Sequence, residues 1–79
     1  MTRDEAQAKI TQKLAQLPDR EAIKVYAALR ATVMGARKQD RKPDRATAQA
    51  MVLTGNALEA RIGSAAFENL MDSVDASVA

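Results

Sequence analysis

Apolar side chains recur every three or four positions along most of this chain, a spacing that places them on one face of an α-helix. Aromatic residues make up only 3% of the sequence and alanine is abundant, a composition that favours helix over strand. The sequence therefore predicts an all-α fold, a small assembly of four helices.

The first helix is predicted over residues 3–17. Thr2 and Glu5 form a capping box, in which each side chain pairs with a backbone N–H that the first turn leaves free. Pro18 ends the helix. Its apolar stripe contains Ala6, Ile10, Leu14 and Leu17.

The second helix is predicted over residues 19–37, with Asp19 placed as its N-cap. Gly35 either ends it early or lies on its outer side while the helix continues to about Lys38. Because the turn before it is short, we expect helices one and two to form an antiparallel hairpin with facing apolar stripes. The stripe of helix two contains Ala22, Ile23, Val25, Tyr26, Leu29, Val33 and Ala36.

The third helix is predicted over residues 45–62, where small and apolar residues follow a heptad-like spacing. This spacing favours one continuous helix, with Gly55 allowing another backbone to approach closely. The alternative is a break after Gly55 and a new helix capped at Asn56. The same spacing predicts an association seam that consists of Met51, Gly55, Leu58 and Ile62.

The fourth helix is predicted over residues 65–75, after a stop at Gly63 and an N-cap at Ser64.

We expect a single domain over residues 1–76 and a frayed tail over 77–79. The chain has 79 residues and no cysteine, and a single core without disulfides is only marginally sufficient at this size. We therefore expect two antiparallel hairpins, joined by the basic segment between helices two and three. We also expect two copies of the chain to pair as a dimer.

Positive charge is concentrated between helices two and three. Residues 37–45, here called the basic connector, contain five basic and two acidic side chains, a formal charge of +3. Residues 46–79 contain one basic and four acidic side chains, a charge of −3. The sequence therefore indicates an anion-binding or partner-binding site made of Arg37, Lys38, Arg41, Lys42 and Arg45.

Catalysis is disfavoured because the chain contains no histidine and no cysteine. The nearest acidic pairs, Asp72 with Asp75 and Asp40 with Asp44, lack the spacing of a calcium loop and are interpreted as surface acids. We expect no metal site, no cofactor and no enzymatic activity.

Nucleic acid is a weaker expectation than a protein partner. None of the three glycines fits the turn of a helix-turn-helix, and stacking platforms for single strands need aromatics beside the basic groove.

The longest apolar run, Ala50 to Leu53, is too short to cross a bilayer, and no secretory signal begins the chain. The sequence thus favours a cytoplasmic, non-catalytic protein-binding regulator or adaptor that forms a homo-oligomer. The alternative is a small dimeric DNA-binding or RNA-binding regulator that uses the basic connector.

Overall fold

The computed structural model describes residues 2–78 and contains, within them, four α-helices and no strand. The predicted all-α class and number of helices are confirmed. None of these helices offers the continuous apolar length that crossing a bilayer requires. The helices are α1 (Arg3–Ala15), α2 (Asp19–Lys38), α3 (Arg45–Ile62) and α4 (Ser64–Val78).

The Thr2 half of the predicted capping box of α1 is confirmed, whereas the predicted cap of α2 is wrong. The Thr2 hydroxyl accepts a hydrogen bond from the Glu5 N–H at 3.2 Å. Pro18 occupies the N-cap position of α2 and makes no side-chain cap, and Asp19 is the first residue of the helix. The Asp19 carboxylate pairs instead with Arg61 of α3 at 2.8 Å. An ion pair to a distant helix has replaced the local hydrogen bond.

Both open questions about glycine are settled in favour of continuous helices. Gly35 lies inside α2, and a Cβ built on it would meet no atom within 4 Å, so it is on the outer side. Gly55 lies inside α3, which runs unbroken to Ile62. Gly63 ends α3 with a positive φ of 90°, a backbone conformation that glycine adopts at no steric cost.

α4 extends beyond its predicted end at residue 75. Ser77 and Val78 still belong to the helix, and Ala79 lies outside the described residues. At its other end, α4 begins at Ser64 instead of 65, and the Phe67 N–H donates to the Gly63 carbonyl at 3.0 Å. The predicted N-cap residue is therefore the first residue of the helix.

Helix α3 lies at the centre of the packing. It contacts α1, α2 and α4, and α2 also packs on α4. The main partner of α1 is α3, so the predicted hairpin of α1 and α2 with facing stripes is not confirmed. Gln7 donates to the Leu53 carbonyl at 2.9 Å, and Arg61 donates to the Leu14 carbonyl at 2.8 Å. These contacts set α1 parallel to α3.

The core is centred where α2, α3 and α4 meet at Gly55. The rings of Tyr26 and Phe67 lie with centroids 5.0 Å apart at an angle of 50°. A Cβ on Gly55 would lie 3.0 Å from Cε1 of Tyr26 and 3.1 Å from Cζ of Phe67. The close approach at Gly55 is therefore made by two aromatic rings, whereas the sequence predicted the backbone of another helix. The surrounding core cluster contains Leu14, Ala22, Val33, Met51, Ala57 and Leu58.

The two helical glycines predict opposite effects of the same substitution. Gly55→Ala forces the Tyr26 and Phe67 rings apart, a strain that outweighs the gain in helix propensity, and we expect a net loss of about 1–2 kcal/mol. Gly35→Ala meets open space and should stabilise the protein by up to about 1 kcal/mol. Urea unfolding followed by circular dichroism measures both. Equal stabilisation by the two substitutions would contradict the packing described at Gly55.

Candidate functional site

The basic connector consists of the last two residues of α2, a short loop over residues 39–44 and the first residue of α3, and the loop is fixed at both ends. Just after α2, Asp40 has a φ of 56°, and its N–H donates to the Arg37 carbonyl at 3.1 Å. The Arg41 N–H donates to the Ala36 carbonyl at 2.8 Å. These two bonds form a Schellman motif, which usually has glycine at the left-handed position. At the other end, the Asp44 carboxylate caps α3 by accepting a backbone N–H at 3.1 Å.

The five predicted site cations are all exposed to solvent. The Lys38 ammonium donates to the Val78 carbonyl at 3.0 Å, which joins the ends of α2 and α4. Within residues 2–78, the salt bridges involve Lys24, Arg30 and Arg61, and none of the five site cations. Described carboxylates therefore do not neutralise the site, which consists of Arg37, Lys38, Arg41, Lys42 and Arg45.

The start of α1 lies at the same end of the molecule as the basic connector. Arg3 and Arg45, the first residues of α1 and α3, line one groove of about 360 Å³. The sequence analysis missed Arg3 because its position depends on α1 running parallel to α3. The groove is completed by Ala48, Gln49, Val52 and Leu53. We call it the two-arginine groove.

The predicted association seam lies inside a single chain. Leu58 is fully buried, Met51 is 8% exposed, and Gly55 is covered by the aromatic rings of α2 and α4. Ile62 is half-buried and packs against the same core. Since these residues contact other helices of their own chain, they are not a free surface for a second molecule.

Arg61 joins three helices at the opposite end of the molecule. Its guanidinium donates to the carbonyls of Leu14 at 2.8 Å and Leu17 at 2.7 Å, and it pairs with Asp19. Leu14 lies in the last turn of α1 and also accepts from the Leu17 N–H at 3.0 Å, so this side chain adds a second donor there and ties the end of α1 to α3. Sequence reasoning missed this contact, whose only local signal is one cation near the predicted end of helix three.

Arg30 and Asp75 form a second ion pair, between α2 and α4. Two parallel hydrogen bonds of 2.8 Å join the guanidinium to the carboxylate, and Arg30 also donates to the Tyr26 hydroxyl at 3.1 Å. Hydrogen bonding to Arg30 lowers the pKa of Asp75, and the same bonds raise the pKa of Arg30. The aromatic core is thereby connected to the charged surface of α4.

A smaller surface groove of about 150 Å³ lies on the outer face of α1 alone, since all of its lining residues belong to that helix. Ala6 and Ile10 line it and are half-buried, and Lys9 and Lys13 flank it and are exposed. Because α1 packs mainly on α3, part of its apolar stripe remains uncovered. We call this the α1 groove.

Acidic side chains do not form a group of three or more metal-binding residues within the described part of the chain. Asp44 caps α3, Asp75 pairs with Arg30, and Asp40 and Asp72 are exposed. Comparison of the chain with protein-family models, with curated proteins and with solved structures finds no match. Function is therefore inferred from the geometry of this chain's own residues.

The ion pair between Arg30 and Asp75 predicts a specific pH dependence of stability. Since the pKa of Asp75 is lower in the folded state than in the unfolded state, the pair stabilises the protein fully above the unfolded pKa of about 3.9. That stabilisation is lost as the pH falls through the folded pKa. Asp75→Asn should therefore lower the free energy of unfolding at pH 7, and the difference from the unmodified protein should vanish in acid. Urea titrations from neutral pH into acid test this, and a difference that stayed constant with pH would contradict it.

Proposed function

We propose that this chain is a small, cytoplasmic, non-catalytic regulator or adaptor that binds a partner protein through a helical surface. The observation that carries the proposal is the α1 groove, where the fold leaves part of an apolar stripe uncovered between Lys9 and Lys13. An apolar groove with charged edges suits a helix or extended segment of another protein. The lysines favour a segment that carries acidic residues.

The composition of the chain supports a binding role. Histidine and cysteine are absent from the sequence, and they are the side chains used most often for proton transfer, thiol chemistry and soft metals near neutral pH. The side chain of Asp75 is occupied by Arg30, and that of Asp44 by the cap of α3. These acids therefore serve the fold.

Shortening the apolar side chain in the α1 groove tests this proposal. Ile10→Ala removes three carbons from the contact, and we expect recovery of the partner from a nuclease-treated host extract to fall about tenfold. Val25 is 40% exposed on α2 and outside the α1 groove, so Val25→Ala is the matched control and should leave recovery unchanged. Equal recovery by both variants and the unmodified protein would argue against the α1 groove.

A second candidate function is binding of DNA or RNA through the basic connector. The specific observation is that its five cations are exposed, with Arg41 and Lys42 on a loop fixed by a Schellman motif and an N-cap and the other three at the adjoining helix ends. Described carboxylates form no salt bridge with them. A fixed loop loses little conformational freedom when it binds. Arginine and lysine on such a loop suit phosphate, since they displace its condensed counterions.

Salt dependence tests the second candidate. If all five cations contact phosphate, the affinity for duplex DNA should fall with salt with a log-log slope of roughly −4 to −5. Replacing Arg41 and Lys42 with glutamine should make the slope shallower by about 2 units. The measurement is fluorescence anisotropy of a labelled duplex. If the double variant binds with the same log-log slope, Arg41 and Lys42 of the basic connector do not contact phosphate.

A further inference from the structure

The two-arginine groove brings together cations from separate parts of the chain. Arg3 begins α1, Arg45 begins α3, and their side chains line the same groove with no carboxylate among the lining residues. Gln49 adds an amide that can donate hydrogen bonds. Arg3 therefore adds one cation from α1 beside the end of the basic connector, while the next two residues of α1, Asp4 and Glu5, are acidic and lie outside the groove lining.

Two like charges that line one groove both attract an anion placed beside them. Of the nearby acids in the sequence, Asp44 uses its carboxylate to cap α3, and Asp4 and Asp40 are exposed residues outside the lining of the groove. Within residues 2–78 neither arginine of the groove has a salt bridge. An external anion with several charges is the ligand that this arrangement suits.

We infer that the two-arginine groove and the basic connector form one surface that binds the phosphates of duplex nucleic acid, with Arg3 as a contact supplied by α1. This inference rests on the second function proposed above and names the form of nucleic acid and an additional residue. Each arginine presents several donors in a planar fork that matches phosphate oxygens. Phosphate contacts of this kind give affinity without sequence specificity.

The duplex is favoured over a single strand because the aromatic rings are unavailable for stacking on bases. The sequence has one tyrosine, one phenylalanine and no tryptophan. Tyr26 is 2% exposed and Phe67 is 8% exposed, and both are packed in the core. Single-strand binding proteins combine a basic groove with exposed aromatic side chains, whereas duplex phosphates require only the cations.

The test compares two variants that each remove one positive charge. Arg3→Gln changes the two-arginine groove, and Arg20→Gln changes an exposed arginine at the start of α2, at the opposite end of the molecule. Affinity for a short labelled duplex of mixed sequence is measured between about 50 and 200 mM salt. We expect Arg3→Gln to make the log-log slope shallower by about 1 unit and Arg20→Gln to leave it unchanged. Circular dichroism verifies that both variants remain helical.

Four results would overturn the inference, and they are distinguishable. If the unmodified protein binds no duplex at low salt, the second proposed function fails together with the inference. If the duplex binds through Arg41 and Lys42 but Arg3→Gln behaves like Arg20→Gln, only the inference fails. If polyglutamate displaces the duplex at equal charge concentration, the surface prefers acidic polypeptide to phosphate. A single strand that binds as tightly as the duplex would also contradict the stated form of nucleic acid.

Discussion

The packing of this protein depends on the missing side chain at Gly55. Without a Cβ there, α3 can lie against the rings of Tyr26 and Phe67, which contact each other at a centroid distance of 5.0 Å. The Tyr26 hydroxyl accepts a hydrogen bond from Arg30, whose guanidinium in turn holds Asp75 on α4. One close contact thus fixes the relative positions of three helices and continues from the core to a surface ion pair.

The packing of all four helices determines which surfaces are free. The heptad-like residues of α3 pack against the other helices of their own chain and contribute to its core. α1 packs mainly on α3 and keeps part of its stripe exposed. The basic connector lies where α2 turns into α3 and is exposed. The surfaces proposed for binding therefore lie at the edges of the helix packing.

Local signals in the sequence were sufficient to predict four helices but not to predict which helices pack against each other. The cap at Thr2 and the continuity of α3 follow from neighbouring residues, and both are confirmed. The predicted hairpin is not confirmed because α1 is held by contacts between residues far apart in sequence, such as that of Gln7 with Leu53. Asp19 carried a cap signal, but Arg61 competes for its carboxylate. Arg3 was not predicted as a site residue because only the parallel packing of α1 on α3 places it beside Arg45.

The central claim is that a single chain buries its own heptad-like seam. The most direct measurement is the midpoint of thermal unfolding over a roughly hundredfold range of protein concentration, because the stability of an obligate dimer depends on concentration whereas that of a monomer does not. We predict one cooperative transition with a constant midpoint and a monomeric mass by sedimentation. A midpoint that rises with concentration, together with a dimeric mass that Leu58→Ala abolishes while the helices remain folded, would contradict the claim.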